Sequence, residues 1–214
     1  MSKREVVVID YGVGNLLSVQ RGLEHCGVDV VVSADLQVIL NAQRVVLPGV
    51  GAFANAMAAL HERGLVDVIR NVAARGTSLL GICLGMQLLL DESEEFGITS
   101  GLGIIPGRVV AIPATTTAGQ SQKIPHIGWN ELQPSENANW EGGVLQGVSP
   151  GEAVYFVHSF QANPNDPADR VADCIYGGHR IPAVIRHGQV SGCQFHPEKS
   201  GKTGLAILKN FCGN

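Results

Sequence analysis

The chain has 214 residues, of which 45% are apolar and only 16% charged, with 27 glycines. A charged fraction so far below the usual ~25% excludes a disordered tail or a charged coiled coil, and the length suits one globular domain spanning 1–214. Nineteen acids against fifteen bases leave a net charge of −4, so no basic field favours nucleic acid or an anionic membrane as a partner.

In chain order, Met1-Ser2-Lys3-Arg4-Glu5 leads into a strand-like run without a small-residue cleavage site, which predicts no signal peptide and a cytoplasmic protein. Four short runs rich in β-branched residues follow, at 6–9, 28–32, 45–47 and 78–83, unbroken enough to be strands covered on both faces. Helical stretches are predicted at 15–26, 55–74 and 84–92, giving a β-α-β-α rhythm and a parallel sheet. The apolar stretch 79–90 is cut by Gly81, Gly85 and Gln87 and falls short of the ~18 residues of a membrane span. From Arg108 onward the strand candidates come closer together, at 109–112, 126–132, 154–160, 171–175, 183–186 and 190–195, before a last helix at 204–211. The fold class is therefore α/β: a mixed, mostly parallel sheet flanked by helices, with an antiparallel extension. The polar stretch 115–122 and the proline-bearing 163–169 are expected to be surface loops.

Gly81-Ile82-Cys83-Leu84-Gly85 is the sharpest chemical signal, because it lies where an apolar strand hands over to a helix. Glycines on both sides of a nucleophile suit a tight strand-to-helix turn that leaves no room for neighbouring Cβ atoms. A sulfur at a helix N-terminus is held preferentially as thiolate by the dipole and the unpaired N–H groups. Cys26, Cys174, Cys193 and Cys212 lack such a context, no two cysteines form a C-x-x-C pair, and reduced thiols are expected. A thiolate needs a base, and the base an orienting acid. In Gln194-Phe195-His196-Pro197-Glu198, Pro197 restricts His196 to extended backbone, so that Glu198, two residues on, faces the same side and can fix the imidazole tautomer. The oxyanion would be met by the N–H of Leu84 and by one from Leu47-Pro48-Gly49-Val50-Gly51, so Val50 and Gly51 are candidates. Gln87, four residues after Cys83, shares its helix face.

Other patterns fail. Gly201-Lys202-Thr203 lacks the earlier glycine of a P-loop, Gly12-Val13-Gly14-Asn15-Leu16-Leu17 lacks the last glycine of a dinucleotide fingerprint, and the seven histidines show no zinc-type spacing. No cofactor and no metal is expected.

Together these residues resemble the class I, triad-type glutamine amidotransferases. Gly81-Ile82-Cys83-Leu84-Gly85-Met86-Gln87 and His196-Pro197-Glu198 look like that family's nucleophile and His/Glu motifs. The segments Asp10–Asn15, Leu47–Phe53, His126-Ile127-Gly128-Trp129-Asn130, Tyr155–Phe160 and Phe195–Gly201 are similar, in order, to the glutaminase subunits of imidazole glycerol phosphate synthases. Phe160 stands where many relatives carry tyrosine. The resemblance implies that Cys83, His196 and Glu198 are catalytic and that Gly49, Gly51, Gln87, His158, Ser159 and Phe160 bind glutamine. It also implies a heterodimer with a (β/α)₈ cyclase subunit, contacted through Asn15, Trp129, Tyr155 and Lys199. Rival readings are the glutaminase component of anthranilate or para-aminobenzoate synthase, a catalytically idle scaffold, and a free cysteine hydrolase of similar fold.

Overall fold

Alternating valines and leucines set the architecture. The computed structural model describes residues 5–136 and 138–213, so the reading of Met1 to Arg4 lies outside the described residues. In β1 (Glu5–Ile9), Val6 and Val8 point into one apolar core and Val7 and Ile9 into another, all four with no exposed surface. Successive side chains of a strand face opposite ways, so a strand apolar at every position must be covered twice. β2 (Asp29–Ser33), β3 (Arg44–Gly49) and β4 (Ser78–Cys83) join it in parallel, in the order β2-β1-β3-β4.

Helix α1 (Leu16–His25) packs Val19 and Leu23 on the first face, and Asn15 caps it by accepting from the Ser18 N–H at 3.4 Å. The second face is covered by α2 (Leu36–Leu40), α3 (Phe53–Glu62) and α4 (Leu65–Ala74). Helix α2 was not expected from the sequence; the Asp35 carboxylate caps it, accepting from the N–H groups of Gln37 and Val38 at 2.8 and 3.0 Å. The single helix predicted over 55–74 is two helices, because Gly64 adopts a φ of +67° between them. The spacing Phe53, Ala56, Met57, Leu60 and the spacing Leu65, Val68, Ile69, Val72 give each its own buried stripe.

The helix predicted over 84–92 is also shorter. It ends as α5 (Leu84–Leu88), and the chain turns into strand β5 (Leu90–Ser93). The carbonyls that a longer helix would use are taken by another segment: Leu88, Leu89, Leu90 and Asp91 accept from Leu102, Ile104, Gly103 and Gly101. With β6 (Thr99–Ser100), β7 (Ile105–Ala111) and a later strand, β5 forms a separate four-stranded sheet.

Strand β8 (His126–Glu131) and the short β9 (Gln133–Pro134) follow. The expected strand over 154–160 is broken at Ser159 into β10 (Ala153–His158), which pairs with β8, and β11 (Phe160–Pro164), which pairs with β7. The chain thus changes sheet within two residues, and the Ser159 carbonyl accepts from Ile112 at 3.0 Å. β12 (Arg170–Tyr176), β13 (His179–His187) and β14 (Val190–Cys193) extend the central sheet to the order β2-β1-β3-β4-β14-β13-β12-β9. β14 lies parallel to β4, and the remaining strands are antiparallel, as expected of the second half. Helix α6 (Gly201–Phe211) closes the first core with Ile207, Leu208 and Phe211. Among the described residues no helix is long and apolar enough to cross a membrane.

The join between β4 and α5 is backbone packed on backbone. A Cβ on Gly85 would overlap the Leu47 carbonyl oxygen of β3, and one on Gly81 would lie 2.7 Å from the Met86 nitrogen. Gly85→Ala should therefore lower the unfolding free energy by about 3 kcal/mol, measured by urea denaturation of the whole chain. A loss below about 0.5 kcal/mol, typical of a neutral surface change, would show that this approach does not constrain the fold.

Candidate active site

The elbow gives Cys83 an unusual backbone. Its φ of 55° and ψ of −112° lie in a region that side-chain-bearing residues rarely occupy, at a cost of order 1–3 kcal/mol. Buried strands on either side hold it there: Cys83 is the register partner of Gly49 on β3, and Ile82 that of Cys193 on β14. The carboxyl ends of β3, β4 and β14 therefore converge on the sulfur, where open α/β sheets form their clefts.

His196 follows β14, with φ −97° and ψ 97°. This is the extended backbone that Pro197 imposes. Glu198 arrives differently from expectation. It lies in a 3₁₀ turn (Pro197–Lys199), and that turn folds its carboxylate back so that His196 Nδ1 is 2.7 Å from Oε1. The turn is braced: His196 N–H donates to the Tyr155 carbonyl at 3.0 Å, and Ser200 Oγ donates to the His196 carbonyl at 2.6 Å. Burial alone would push His196 down, but its hydrogen bonds to the Cys83 sulfur and Glu198, with the negative charge of both, win and raise it to about 9. The site thus favours an imidazolium placed between a sulfur and a carboxylate.

One cleft of about 390 Å³ gathers nearly all of the expected site residues. Val50, Gly51, Cys83, Leu84, Gln87 and His196 line it. His158, Ser159 and Phe160, at the point where the chain changes sheet, form a further wall, and Lys199 stands at the rim. Its size lies within the roughly 300–1,000 Å³ of small-molecule sites. Gly49 lies behind this surface, at the end of β3, and Glu198 behind His196. A larger cleft of about 740 Å³ opens at the opposite end of the strands, beside Ser78 and Gln189, and has no cysteine or histidine in its lining. Chemistry, not size, selects the smaller one. Among the described residues no group of His, Cys, Asp or Glu could hold a metal ion.

Asn15 is exposed at the start of α1. Trp129 is 58% exposed and meets Tyr155 edge-on at 6.1 Å between centroids. The strand that carries Tyr155 is tied to the cleft, since the Tyr155 carbonyl accepts from the His196 N–H and the Tyr155 N–H donates to Ser200 Oγ at 3.0 Å.

Several residues at the site had escaped the sequence reading. Gln194, fully buried, donates towards Cys83 Sγ at 4.0 Å and accepts from Gln87 Nε2 at 3.0 Å. Gln87 Nε2 also donates to the Phe160 carbonyl at 2.9 Å, so its amide is fixed from two sides. Tyr11 donates to the Pro48 carbonyl at 2.8 Å, and burial, then the charge on Cys83, hold its hydroxyl well above the ordinary range. Glu95 accepts from the Phe53 N–H at 2.6 Å and so ties the start of α3, just after Gly51, to the cleft rim. Gln194 stands two residues before His196, and period-two alternation could have placed both on one side of the strand end. Tyr11 and Glu95 leave no comparable local signal.

The family model described as Glutamine amidotransferase class-I matches residues 7–214. The chain belongs to the class-I glutamine amidotransferase family. It is 48% identical over 207 residues to "Imidazole glycerol phosphate synthase subunit HisH 1" of Legionella pneumophila (strain Lens), covering 96% of this chain and 97% of that one. It is 49% identical over 209 residues to "Imidazole glycerol phosphate synthase subunit HisH" of Geobacillus kaustophilus (strain HTA426), covering 96% and 95%. Among solved structures, "Crystal structure of glutamine amidotransferase" matches with a TM-score of 0.72 at 18% identity, covering 97% of this chain and 99% of that chain. "Structure of PurLQS from Thermotoga maritima" matches with a TM-score of 0.72 at 20% identity, covering 99% and 98%. At those identities the structural likeness speaks to the fold, which is the class-I amidotransferase fold.

The raised imidazole has a stability consequence. Because folded His196 titrates at about 9, above its ordinary 6.5, it stabilises the fold fully below about pH 6.5, and that stabilisation is lost as pH rises through 9. Glu198→Gln removes one of the two groups that hold the proton and should move the His196 titration to lower pH in NMR. It should also flatten the fall in urea stability between about pH 6 and about pH 10. An unchanged titration midpoint would mean that Glu198 does not hold the proton.

Proposed function

We propose that this amidotransferase is the glutaminase subunit of an imidazole glycerol phosphate synthase of histidine biosynthesis, in which Cys83, His196 and Glu198 are the catalytic triad. The observation that carries the reading is the single cleft in which Cys83, on its strained turn, meets an imidazole held at 2.7 Å by Glu198. The names borne by relatives 47–49% identical over nearly the full chain select this synthase among the family's members.

In the proposed reaction Cys83 Sγ attacks the carboxamide carbon of glutamine. The resulting oxyanion is met by the Leu84 N–H and by an N–H of Val50 or Gly51, across the cleft from the sulfur. His196, as imidazolium, gives its proton to the departing nitrogen, and ammonia leaves. The glutamyl thioester remains on Cys83. His196, now neutral, takes a proton from water, whose oxygen attacks the thioester carbon, and glutamate departs as the thiolate is restored. Glutamine and water have become glutamate and ammonia. Glu198 keeps the imidazole in one tautomer and offsets its charge in both steps. Gly49, Gly51, Gln87, His158, Ser159 and Phe160 shape the pocket for the substrate.

The ammonia passes to a separate (β/α)₈ cyclase subunit, bound through Asn15, Trp129, Tyr155 and Lys199. There it joins a phosphoribulosyl formimino carboxamide ribotide, giving imidazole glycerol phosphate and an aminoimidazole carboxamide ribotide. The exposed Trp129 beside Tyr155 and the cationic Lys199 at the cleft rim support that placement of the partner.

The test is to assay the chain together with its cyclase. Cys83→Ala should abolish glutamine-dependent synthesis, by at least about 10⁴-fold, and leave synthesis from ammonium salts intact. Glutamate release by the wild-type chain should rise strongly when cyclase and its nucleotide ligand are added. Loss of both activities in the variant would refute the division of labour, and association with a chorismate-using subunit would assign a different synthase.

A further inference from the structure

Two buried histidines outside the triad lie beside the cleft. His126 on β8 and His158 on β10 are register partners, 3% and 6% exposed, with His126 Nδ1 3.0 Å from His158 Nε2. The direction of every hydrogen bond can be worked out from one end. His158 Nδ1 is 2.8 Å from the Phe160 carbonyl oxygen, which can only accept, so Nδ1 carries the hydrogen. In a neutral ring Nε2 is then an acceptor, and His126 must donate to it from Nδ1. His126 Nε2 is left as an acceptor, and the Asn130 amide nitrogen, at 3.4 Å, supplies a donor. Asn130 agrees with this order: its amide also donates to the Ile175 carbonyl at 2.8 Å, and its oxygen accepts from Glu131 N–H at 2.8 Å.

The other end of the chain reaches the nucleophile. The Phe160 carbonyl also accepts from Gln87, Gln87 donates to Gln194, and Gln194 faces Cys83 Sγ. A continuous hydrogen-bonded path therefore joins the strand bearing the exposed Trp129 to the wall of the cleft.

We infer that His126 and His158 act as a neutral, tautomer-locked pair of positioning residues, which carry the placement of the Trp129–Asn130 strand to the Phe160 carbonyl and so set the Gln87 amide against bound glutamine. The inference rests on the glutaminase reading and deepens it by naming the route from partner surface to substrate pocket. The surroundings keep both rings neutral. Burial lowers His126 to about 4, between the stacked rings of Phe156 and Tyr176 at 4.9 and 4.1 Å. His158 is lowered to about 3, chiefly by burial, against the Phe160 hydrogen bond and with the charges of His126 and His196. The titratable groups that act on His158 are thus His126 and His196, and Tyr176 meets His126 as a stacked ring. Neither ring has a carboxylate partner among the hydrogen bonds of the described residues.

Nitrogen NMR of the full chain, labelled with ¹⁵N-histidine, reads the tautomers directly. His126 and His158 should both carry hydrogen on Nδ1 and stay neutral from about pH 5 to about pH 8, well above their lowered titrations. An Nε2–H tautomer, or titration of either ring in that window, would overturn the pair. Kinetics of the chain with its cyclase supply the second readout. His126→Phe keeps the stacked ring but removes both nitrogens, leaving His158 Nε2 without a donor, and should raise the glutamine KM about tenfold with kcat nearly unchanged. His126→Gln restores a donor and should recover most of that loss. An unchanged KM in His126→Phe, or a fall in kcat alone, would overturn the route; if that variant fails to fold, the wild-type spectra and His126→Gln still decide. Wild-type chain that hydrolysed no glutamine would refute the glutaminase reading while leaving the tautomers standing.

Discussion

Everything at the cleft depends on how closely α5 approaches β3. Gly85 sits against the Leu47 carbonyl with no room for a side chain, and Gly81 sits close to the first turn of the helix, where a Cβ would lie 2.6 Å from the Gly85 carbonyl oxygen. This forces the chain to reverse within one residue, and Cys83, the residue at the reversal, takes the positive φ. Several consequences follow from that one contact. The sulfur is lifted above the sheet, Leu84 is placed at the cleft surface, and Gly49 falls in register beside the cysteine. The strain is sustained because β3, β4 and β14 are buried and paired along their length. A local cost of order 1–3 kcal/mol is small beside the burial of a dozen large side chains in the two cores, each contributing roughly 1.5–3 kcal/mol.

The cleft also shows how one residue type takes opposite roles in nearly the same place. His126, His158 and His196 are all almost wholly buried, and desolvation pushes each of them towards neutrality. Of the three, only His196 is hydrogen-bonded to a carboxylate and to the Cys83 sulfur, and only His196 is raised. His158 has a carbonyl and another imidazole, partners that orient a ring without charging it. An imidazole that favours its charged form and two that favour the neutral one thus stand side by side, separated by the identity of their neighbours.

How much of this was legible beforehand varies with the range of the interaction. The parallel strands β1, β3 and β4 could be read because burial on both faces leaves short, largely apolar runs, and 78–83 matches its strand residue for residue. The elbow and the His-Pro-Glu segment could be read because Gly81, Gly85 and Pro197 impose local geometry. What could not be read was set by distant partners. The helix after Cys83 stops early because residues 101–105 take its carbonyls, and nothing within 84–92 announces that. The strand over 154–160 breaks because its two halves find different neighbours, β8 and β7. Glu198 was placed correctly for the wrong local reason: a tight turn, not an extended chain, brings it to the imidazole. Tyr11 leaves no local signal, since its role exists only once β3 brings the Pro48 carbonyl to its hydroxyl.

The same division between central and peripheral strands bears on control. Cys83, His196 and Gln194 all stand on or soon after strands of the eight-stranded sheet, locked between two cores. The facing wall, His158 to Phe160, belongs to neither that sheet nor any long element; it is the short crossing between the two smaller sheets. A force applied to Trp129 enters the two-stranded sheet and reaches that crossing through backbone and imidazole hydrogen bonds, without having to distort β4. On the proposed reading, a subunit that engaged Trp129 could therefore adjust how glutamine is held while leaving Cys83 on its turn, which would tie consumption of glutamine to the presence of an acceptor for ammonia. An architecture with Cys83 and His196 on the peripheral strands would lack this separation, since any motion of the wall would also move the imidazole against the sulfur.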